Sequence, residues 1–167
     1  MNKQEIFTVI TVGGEDQWDL FNNLGNPRNP GWIKVIDPYL QFAKMEIESV
    51  SKKIGLIKTT PLQMGFKDVD VPYNEIIDRA QHLKLKVCPQ ETGLRLAGQY
   101  NCLLPGESLH IISQPIPYQQ DNQSVYCKGI ILTRNEFGQK IIETYLVKDL
   151  EYCVLDHWAN LVFTIGK

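Results

Sequence analysis

The sequence "SVYCKGIILTRNEFGQKIIETYLV", residues 124–147, contains two runs rich in β-branched and aromatic side chains. Between the runs stands "NEFG", from Asn135 to Gly138, which has the polar residues and the glycine of a tight turn. The two runs are therefore predicted to form a β-hairpin. Similar short runs occur at 107–116, "ESLHIISQPI", and at 160–166, "NLVFTIG", so the last third of the chain is predicted to be an antiparallel sheet.

Helical patterns occupy much of the chain before these strands. The sequence "VDVPYNEIIDRAQHL", residues 69–83, has apolar side chains at helical spacing behind Pro72, and proline suits the first turn of a helix. A weaker helical pattern begins at Asp37, which can cap a helix, and continues to about Lys53. Both segments are predicted to be helices.

The N-terminal region carries one strand pattern and one helix pattern. Residues 6–12, "IFTVITV", have the composition of a strand. The following segment, residues 15–25, is predicted to be a short helix whose inner face carries Trp18, Phe21 and Leu24.

The order of the elements, with helices mostly first and strands mostly later, indicates the fold class. It predicts an α+β fold in which an N-terminal helical half packs on a C-terminal antiparallel β-sheet. The chain length fits a single domain over residues 1–167. The stretches at 26–31, "NPRNPG", and at 118–124, "YQQDNQS", are predicted to be loops.

Composition and charge disfavour several classes of function. Lysine and arginine total 17 and aspartate and glutamate total 19, so the formal net charge is -2 and nothing indicates a basic surface for nucleic acid. The apolar runs are shorter than the about 20 residues that cross a bilayer, and the N-terminus lacks a signal peptide pattern. A cytoplasmic protein without membrane contact is predicted. Its cysteines are expected to be reduced, buried thiols, at Cys88, Cys102, Cys127 and Cys153.

The sequence "VCPQETGLRLAGQY", residues 87–100, permits a structural and a catalytic interpretation. As the start of a helix, it places Pro89 at the first helical position and lets Glu91 pair with Arg95 along the surface. As an active site, it offers Cys88 as a nucleophile near a helix N-terminus, with a distant histidine as its base. The structural interpretation is preferred, because no nucleophile signature surrounds Cys88. A small enzyme that uses this cysteine is the first alternative.

No metal or cofactor is predicted. The cysteines form no Cys-x-x-Cys pair, and His82, His110 and His157 lack the spacing that places two ligands on one local element. Gly13 and Gly14 stand between a strand pattern and a helix pattern, as phosphate-binding glycines do. Acidic residues follow them directly, however, and these would repel an anion.

Weak nucleic-acid binding through a helical pair at residues 72–100 is the second alternative. Two helices joined by a short link there would resemble a helix-turn-helix unit. The second helix offers only Gln90, Arg95 and Gln99 to bases and phosphates, so an ordinary helical pair is preferred.

The segment at residues 73–116 resembles the central block of a family of small bacterial proteins of unknown function. The matching residues are Arg79, Ala80, Leu83, Leu85, Cys88, Pro89, Glu91, Leu94, Arg95, Leu96, Tyr100, Gly106, Glu107, Leu109, Ile111, Pro115 and Ile116. The chain departs from the family pattern at 103–105, where Leu-Leu-Pro replaces the family's Gln-Pro. The resemblance implies that one structural or ligand-binding cluster is formed by Cys88, Glu91, Arg95, Tyr100 and Glu107.

The sequence thus predicts a non-enzymatic cytosolic module that binds a protein or a small ligand. Its candidate surface lies around Arg95, Tyr100 and Glu107, and its partner would be another protein or a second copy of the chain. The state of the Arg95 head group discriminates between two roles. An open guanidinium with unpaired donors would favour a ligand site, and a paired, enclosed one would favour an architectural role.

Overall fold

The computed structural model of the protein describes residues 5–24, 33–37, 40, 43–119, 125–146 and 153–165. The helices and strands are, in chain order, β1 (Thr8–Val12), α1 (Gln17–Leu24), β2 (Lys34–Val35), β3 (Lys52–Thr59), α2 (Pro61–Met64), β4 (Asp70–Pro72), α3 (Tyr73–His82), β5 (Leu85–Lys86), α4 (Thr92–Gln99), β6 (Ser108–Gln119), β7 (Val125–Arg134), β8 (Lys140–Leu146), β9 (Val154–Asp156) and β10 (Asn160–Ile165).

Eight strands form one curled sheet in the order β1-β3-β10-β6-β7-β8-β2, with β5 paired to the end of β10. Most neighbouring strands are antiparallel, but β10 runs parallel to β6 and β2 runs parallel to β8. The pairing of β6 with β7 shifts in register between Ile111 and Ile116. In this region the chain segment that contains β5 lies between β10 and the rest of β6. There Lys86 pairs with Thr164, and Cys88 pairs with Ser113. Strands β4 and β9 form a separate two-stranded ladder.

The β7–β8 pair is the hairpin predicted from the sequence. The two strands pair antiparallel as far as Arg134 opposite Lys140. In the turn, the Gly138 N–H donates to the Asn135 carbonyl at 3.0 Å, and Gly138 has a φ of 81°, which favours glycine. This prediction is confirmed, and the two flanking predicted strands are present as β6 and β10.

The curled sheet carries an apolar core on each face. On the first face, α4 lies within the curl and contacts α1, β1, β7 and β8, burying side chains such as Leu20 and Leu94. On the second face, α2, α3 and the β4–β9 ladder cover the sheet and bury Met64, Ile76 and Phe163. Each fully buried side chain of this size contributes about 1.5–3 kcal/mol through the removal of apolar surface from water.

The predicted fold class is wrong in its arrangement. Strands β1 and β3 belong to the first half of the chain but are part of the sheet, and the helices lie between strands in sequence and on both faces in space. The sheet is also mixed rather than antiparallel. The physical reason is long-range pairing. Strand β1 pairs with β3, and β3 pairs with β10, with Leu161 opposite Thr59, so strands from the beginning and the end of the chain share one sheet.

The helix predicted from Asp37 to about Lys53 is also wrong. Residues 43–50 contain no helix, and β3 begins at Lys52. The backbone N–H groups in this segment bond to side chains of other segments, for example Glu46 to Gln90 at 2.7 Å. These contacts replace the hydrogen bonds that a helix would have formed.

The remaining local predictions have mixed outcomes. Helix α3 confirms the strongest helical pattern, and α1 confirms the short N-terminal helix. Trp18 is 61% exposed, however, so its predicted place on the inner face of α1 is wrong. Leu20 is buried on that face instead. The predicted loop at 26–31 lies outside the described residues, as does most of the loop at 118–124, whose first two residues belong to β6.

Candidate functional site

Glu91 and Arg95 meet at the start of α4, on the first face of the sheet. The Glu91 side chain is wholly buried, and Arg95 Nε donates to Glu91 Oε2 at 2.7 Å. The same carboxylate accepts the Gly13 N–H at 3.1 Å and the Glu48 N–H at 2.9 Å. Three donors therefore satisfy this buried carboxylate. We call Gly13, Glu15, Glu48, Glu91 and Arg95 the Arg95 network.

The rest of the Arg95 guanidinium is also paired. Its Nη1 donates to Glu15 Oε2 at 2.5 Å, and its Nη2 donates to the Gly13 carbonyl at 3.1 Å. The side chain is 10% exposed. The expected surface pair between Glu91 and Arg95 is thus a buried pair, and a paired, enclosed guanidinium indicates an architectural role.

Two glutamines that flank the Arg95 network bind backbone in the same way. Gln90 accepts the Glu46 N–H at 2.7 Å and donates to the Pro115 carbonyl at 3.2 Å. Gln99 bonds to both the N–H and the carbonyl of Thr11 on the terminal strand β1, each at 2.8 Å. The polar side chains of this segment therefore connect α4 to neighbouring backbone.

The Gly13–Gly14 turn contacts a carboxylate of the chain itself. The Gly13 N–H points to Glu91, and the Gly14 N–H donates to the Glu48 carbonyl at 3.1 Å. These two donors, which a phosphate-binding turn would offer to a ligand, are both engaged.

Cys88 lies in the core of the first face. Its Sγ donates to the Val162 carbonyl at 3.4 Å, and burial raises the pKa of its thiol well above the ordinary range. Since the thiolate is the nucleophilic form, this environment opposes the catalytic interpretation. The three histidines lie on other elements. His82 is on α3, His110 is on β6 with its ring toward the second face, and His157 is in the turn between β9 and β10.

We expect iodoacetamide to label native Cys88 slower than Cys102 by about a hundredfold or more, because Cys88 is buried and must wait for an opening of the structure. Cys102 is exposed and serves as an internal control in the same sample. Peptide mass spectrometry at neutral pH measures both rates. Labelling of Cys88 as fast as Cys102 would instead support the enzyme alternative.

Tyr100 and Glu107 form a second group, separate from the contacts of Arg95. The Tyr100 ring packs edge-on against Phe7, with ring centroids 5.5 Å apart. Glu107 bonds to Lys58 Nζ at 2.8 Å and to the Leu104 N–H at 3.0 Å. Partial burial raises the pKa of the Glu107 carboxyl, but these two partners outweigh burial and leave that pKa lowered. Of the five residues assigned to one cluster, only Glu91 and Arg95 are joined by a hydrogen bond between their side chains.

The helical pair expected at residues 72–100 does not form a compact unit. Helix α3 packs in the core of the second face, whereas α4 packs in the core of the first face. The chain between them passes through the sheet as β5. A helix-turn-helix needs its two helices packed on each other, so this geometry opposes that alternative.

A polar cluster on the second face was not identified from the sequence. We define the polar cluster as Tyr73, His110 and Tyr145. The Tyr145 ring centroid lies 6.0 Å from that of His110 and 6.4 Å from that of Tyr73. Burial raises the pKa of Tyr73 to about 12, raises that of Tyr145 well above its ordinary value and lowers that of His110. All three side chains are therefore uncharged at neutral pH.

An exposed apolar surface was also missed. Leu62, Val69 and Trp158 are 42%, 59% and 65% exposed, and the His157 ring lies 4.7 Å from the Trp158 ring. We call these four residues the Trp158 surface. Trp158 lies in the turn between β9 and β10, and no local sequence pattern links this turn to residues 62 and 69. For the polar cluster, strand alternation was an available signal, since His110 and Tyr145 both fall on second-face positions.

Among the described residues, no group of three or more histidine, cysteine, aspartate or glutamate side chains is arranged to hold a metal ion. In the same part of the chain, every helix is too short or too polar to span a membrane. No family model, curated protein or solved structure matches the chain at a significant level.

Proposed function

We propose that the protein is a non-enzymatic cytoplasmic module of bacterial type that binds another protein through the Trp158 surface. The observation that carries this proposal is the exposure of Trp158 beside Val69 and Leu62. Tryptophan is enriched among the residues that contribute most to protein interfaces, because its large ring removes much apolar area from water on binding. The unpaired thiols of Cys88, Cys102 and Cys153 fit a reducing compartment.

Backbone hydrogen bonds hold the Trp158 surface in shape. The Leu62 N–H donates to the His157 carbonyl at 3.2 Å, and the His157 N–H donates to the Val69 carbonyl at 2.8 Å. The Asp156 side chain adds a further bond, since its Oδ1 accepts the backbone N–H of Trp158 at 2.7 Å. Three separate segments are thereby joined, so a partner would meet an ordered surface and lose less conformational entropy on binding.

Charge at the edge of this surface favours a basic partner. Asp70 and Asp156 lie directly opposite each other on the β4–β9 ladder, and both are exposed. Within the described residues neither carboxylate forms an ion pair. Like charges placed opposite each other on two strands repel, and a cation from a partner would relieve that repulsion. The complementary partner is a segment that combines arginine or lysine with apolar side chains.

The test uses a fluorescein-labelled synthetic peptide of alternating leucine and arginine, and a matched peptide with glutamate in place of arginine. We expect the basic peptide to bind, and Trp158→Ala to weaken its binding by about tenfold or more. Trp18→Ala is the matched control, since Trp18 is equally exposed but lies on α1, and it should leave binding unchanged. Fluorescence anisotropy gives both affinities, and circular dichroism verifies that each variant is folded.

Charge is tested by a second variant, Asp70→Asn. It should weaken the basic peptide severalfold and reduce the dependence of binding on salt. Equal binding of the basic and acidic peptides would contradict the proposal. Equal losses in the Trp18 and Trp158 variants would contradict it as well, and so would dimerisation through this surface in sedimentation experiments.

A further inference from the structure

The β4–β9 ladder has one buried and one outward face. Val71 and Leu155 stand opposite each other, are 1% and 6% exposed, and belong to the core of the second face. Side chains alternate along a strand, so the residues on either side of this pair point away from the core. We call these outward residues the ladder face, which consists of Asp70, Pro72, Val154 and Asp156. The ladder face therefore places two carboxylates beside an apolar pair.

The hydrogen bonds of the ladder bring the two aspartates close together. The His157 N–H donates to the Val69 carbonyl at 2.8 Å, one position beyond the aspartates on both strands. Hydrogen-bonded and non-hydrogen-bonded pairs alternate along an antiparallel ladder, so Asp70 and Asp156 form a non-hydrogen-bonded pair. The Cβ atoms of such a pair lie about 4.5–5.5 Å apart, and the side chains are closer than in the other type of pair. Two carboxylates thus project side by side into solvent.

Most acceptor positions of these carboxylates are unoccupied. Asp156 Oδ1 accepts the Trp158 N–H, and no other donor among the described residues bonds to the carboxylate of Asp156 or Asp70. The bond to Asp156 also places this carboxylate directly beside the exposed tryptophan. Asp68 adds a third exposed carboxylate, and Lys67 is the one basic residue of segment 66–72. The ladder face is therefore acidic and adjoins the Trp158 surface.

We infer, on the basis of the proposed function, that the partner binds through an arginine whose guanidinium bridges Asp70 and Asp156. A guanidinium has five N–H donors in a planar fork, so it can bond to two neighbouring carboxylates at once. A lysine ammonium is a compact and strongly hydrated charge, and it loses more hydration for the same contact. The two aspartates therefore favour arginine over lysine in the partner.

The surroundings of the aspartates favour the same side chain. The donors of a guanidinium lie in its plane, so its face stays free to stack on an aromatic ring while its edge bonds to carboxylates. Trp158 supplies such a ring beside Asp156. The apolar stem of an arginine packs on apolar surface, and Val154, which is 48% exposed, supplies that surface on the ladder face.

The experiment compares two fluorescein-labelled peptides of equal length and charge, in which leucine alternates with arginine or with lysine. We expect the arginine peptide to bind about tenfold more tightly. In the double variant Asp70→Asn, Asp156→Asn this preference should fall to about twofold or less, and asparagine at position 156 keeps an acceptor for the Trp158 N–H. Fluorescence anisotropy gives the affinities, and circular dichroism verifies folding.

The matched control is the double variant Asp19→Asn, Asp78→Asn. It removes the same charge from exposed positions on α1 and α3, so the preference for arginine should remain about tenfold. The control thereby separates a bridge between two particular carboxylates from the effect of net charge.

The outcomes distinguish this inference from the proposed function. Equal affinities of the arginine and lysine peptides would overturn the inference, but the proposed function would survive if Trp158→Ala still weakened both. A preference for arginine that persists in the folded Asp70, Asp156 double variant would also overturn the inference, because the guanidinium would then be recognised elsewhere. If neither peptide binds, the inference and the proposed function both fail.

Discussion

Replacement of Glu91 by glutamine is expected to lower the free energy of unfolding by about 3–5 kcal/mol. The Glu91 carboxylate is wholly buried and accepts hydrogen bonds from Arg95, Gly13 and Glu48. Glutamine has nearly the same shape, but its amide nitrogen is a donor and must face one of these donors. The substitution also leaves the enclosed guanidinium with Glu15 as its remaining carboxylate. Urea denaturation with a constant m-value measures the loss.

Glu107→Gln is the matched control for the Glu91 variant. Glu107 also pairs with a basic side chain and a backbone N–H, but its partner Lys58 is 37% exposed, against 10% for Arg95. The loss there should be about 1 kcal/mol or less, because an ion pair that water reaches contributes less than a wholly enclosed one. If the Glu91 and Glu107 variants lose the same stability, the Arg95 network does not have the architectural role assigned to it.

Gly13→Ala is expected to destabilise the protein by about 2–5 kcal/mol. Gly13 has a φ of 81°, a left-handed conformation that strains any residue with a Cβ. An added Cβ would also lie 2.4 Å from the Val50 carbonyl oxygen and 2.7 Å from that of Glu48. Both are backbone atoms that cannot rotate away, so the turn must shift. That shift would disturb the hydrogen bond that the Gly13 N–H donates to Glu91 and the one that the Gly13 carbonyl accepts from Arg95.

Gly106→Ala separates the two contributions to this effect. Gly106 has a similar φ of 78°, and no atom lies within 4 Å of its added Cβ. Its loss should therefore be about 1–2 kcal/mol, which is the cost of the left-handed conformation alone. Thermal unfolding of both variants gives the comparison. Equal losses of stability at the two positions would mean that contact with the Val50 and Glu48 carbonyls adds nothing to the cost of the left-handed conformation.

Some of the fold was predictable because the responsible interactions are local. The β7–β8 hairpin depends on the turn from Asn135 to Gly138 and on the two runs beside it. Helix α3 depends on apolar side chains three and four residues apart. Strand β1 was also visible as a local run of strand-forming residues. What the sequence did not reveal for β1 was its neighbour in the sheet.

The candidate site was less predictable because burial is a property of the whole fold. Glu91 and Arg95 have the spacing of an ordinary surface pair, and the same spacing occurs here in a buried pair. The difference arises from the Gly13 turn and the segment around Glu48, which are distant in sequence and close over the carboxylate. The helix predicted over residues 37–53 failed for a related reason, since side chains from another segment took its backbone N–H groups.

By itself, the sequence determined which short segments become strands, turns or the stronger helices, since those choices depend on residues within a few positions of one another. It also determined the near-neutral charge that disfavours nucleic acid. Only the tertiary structure decided that β3 joins β10, that Glu91 is buried, and that Trp158 stands beside Val69. These features depend on contacts between distant segments, and such contacts form only when the sheet as a whole is assembled.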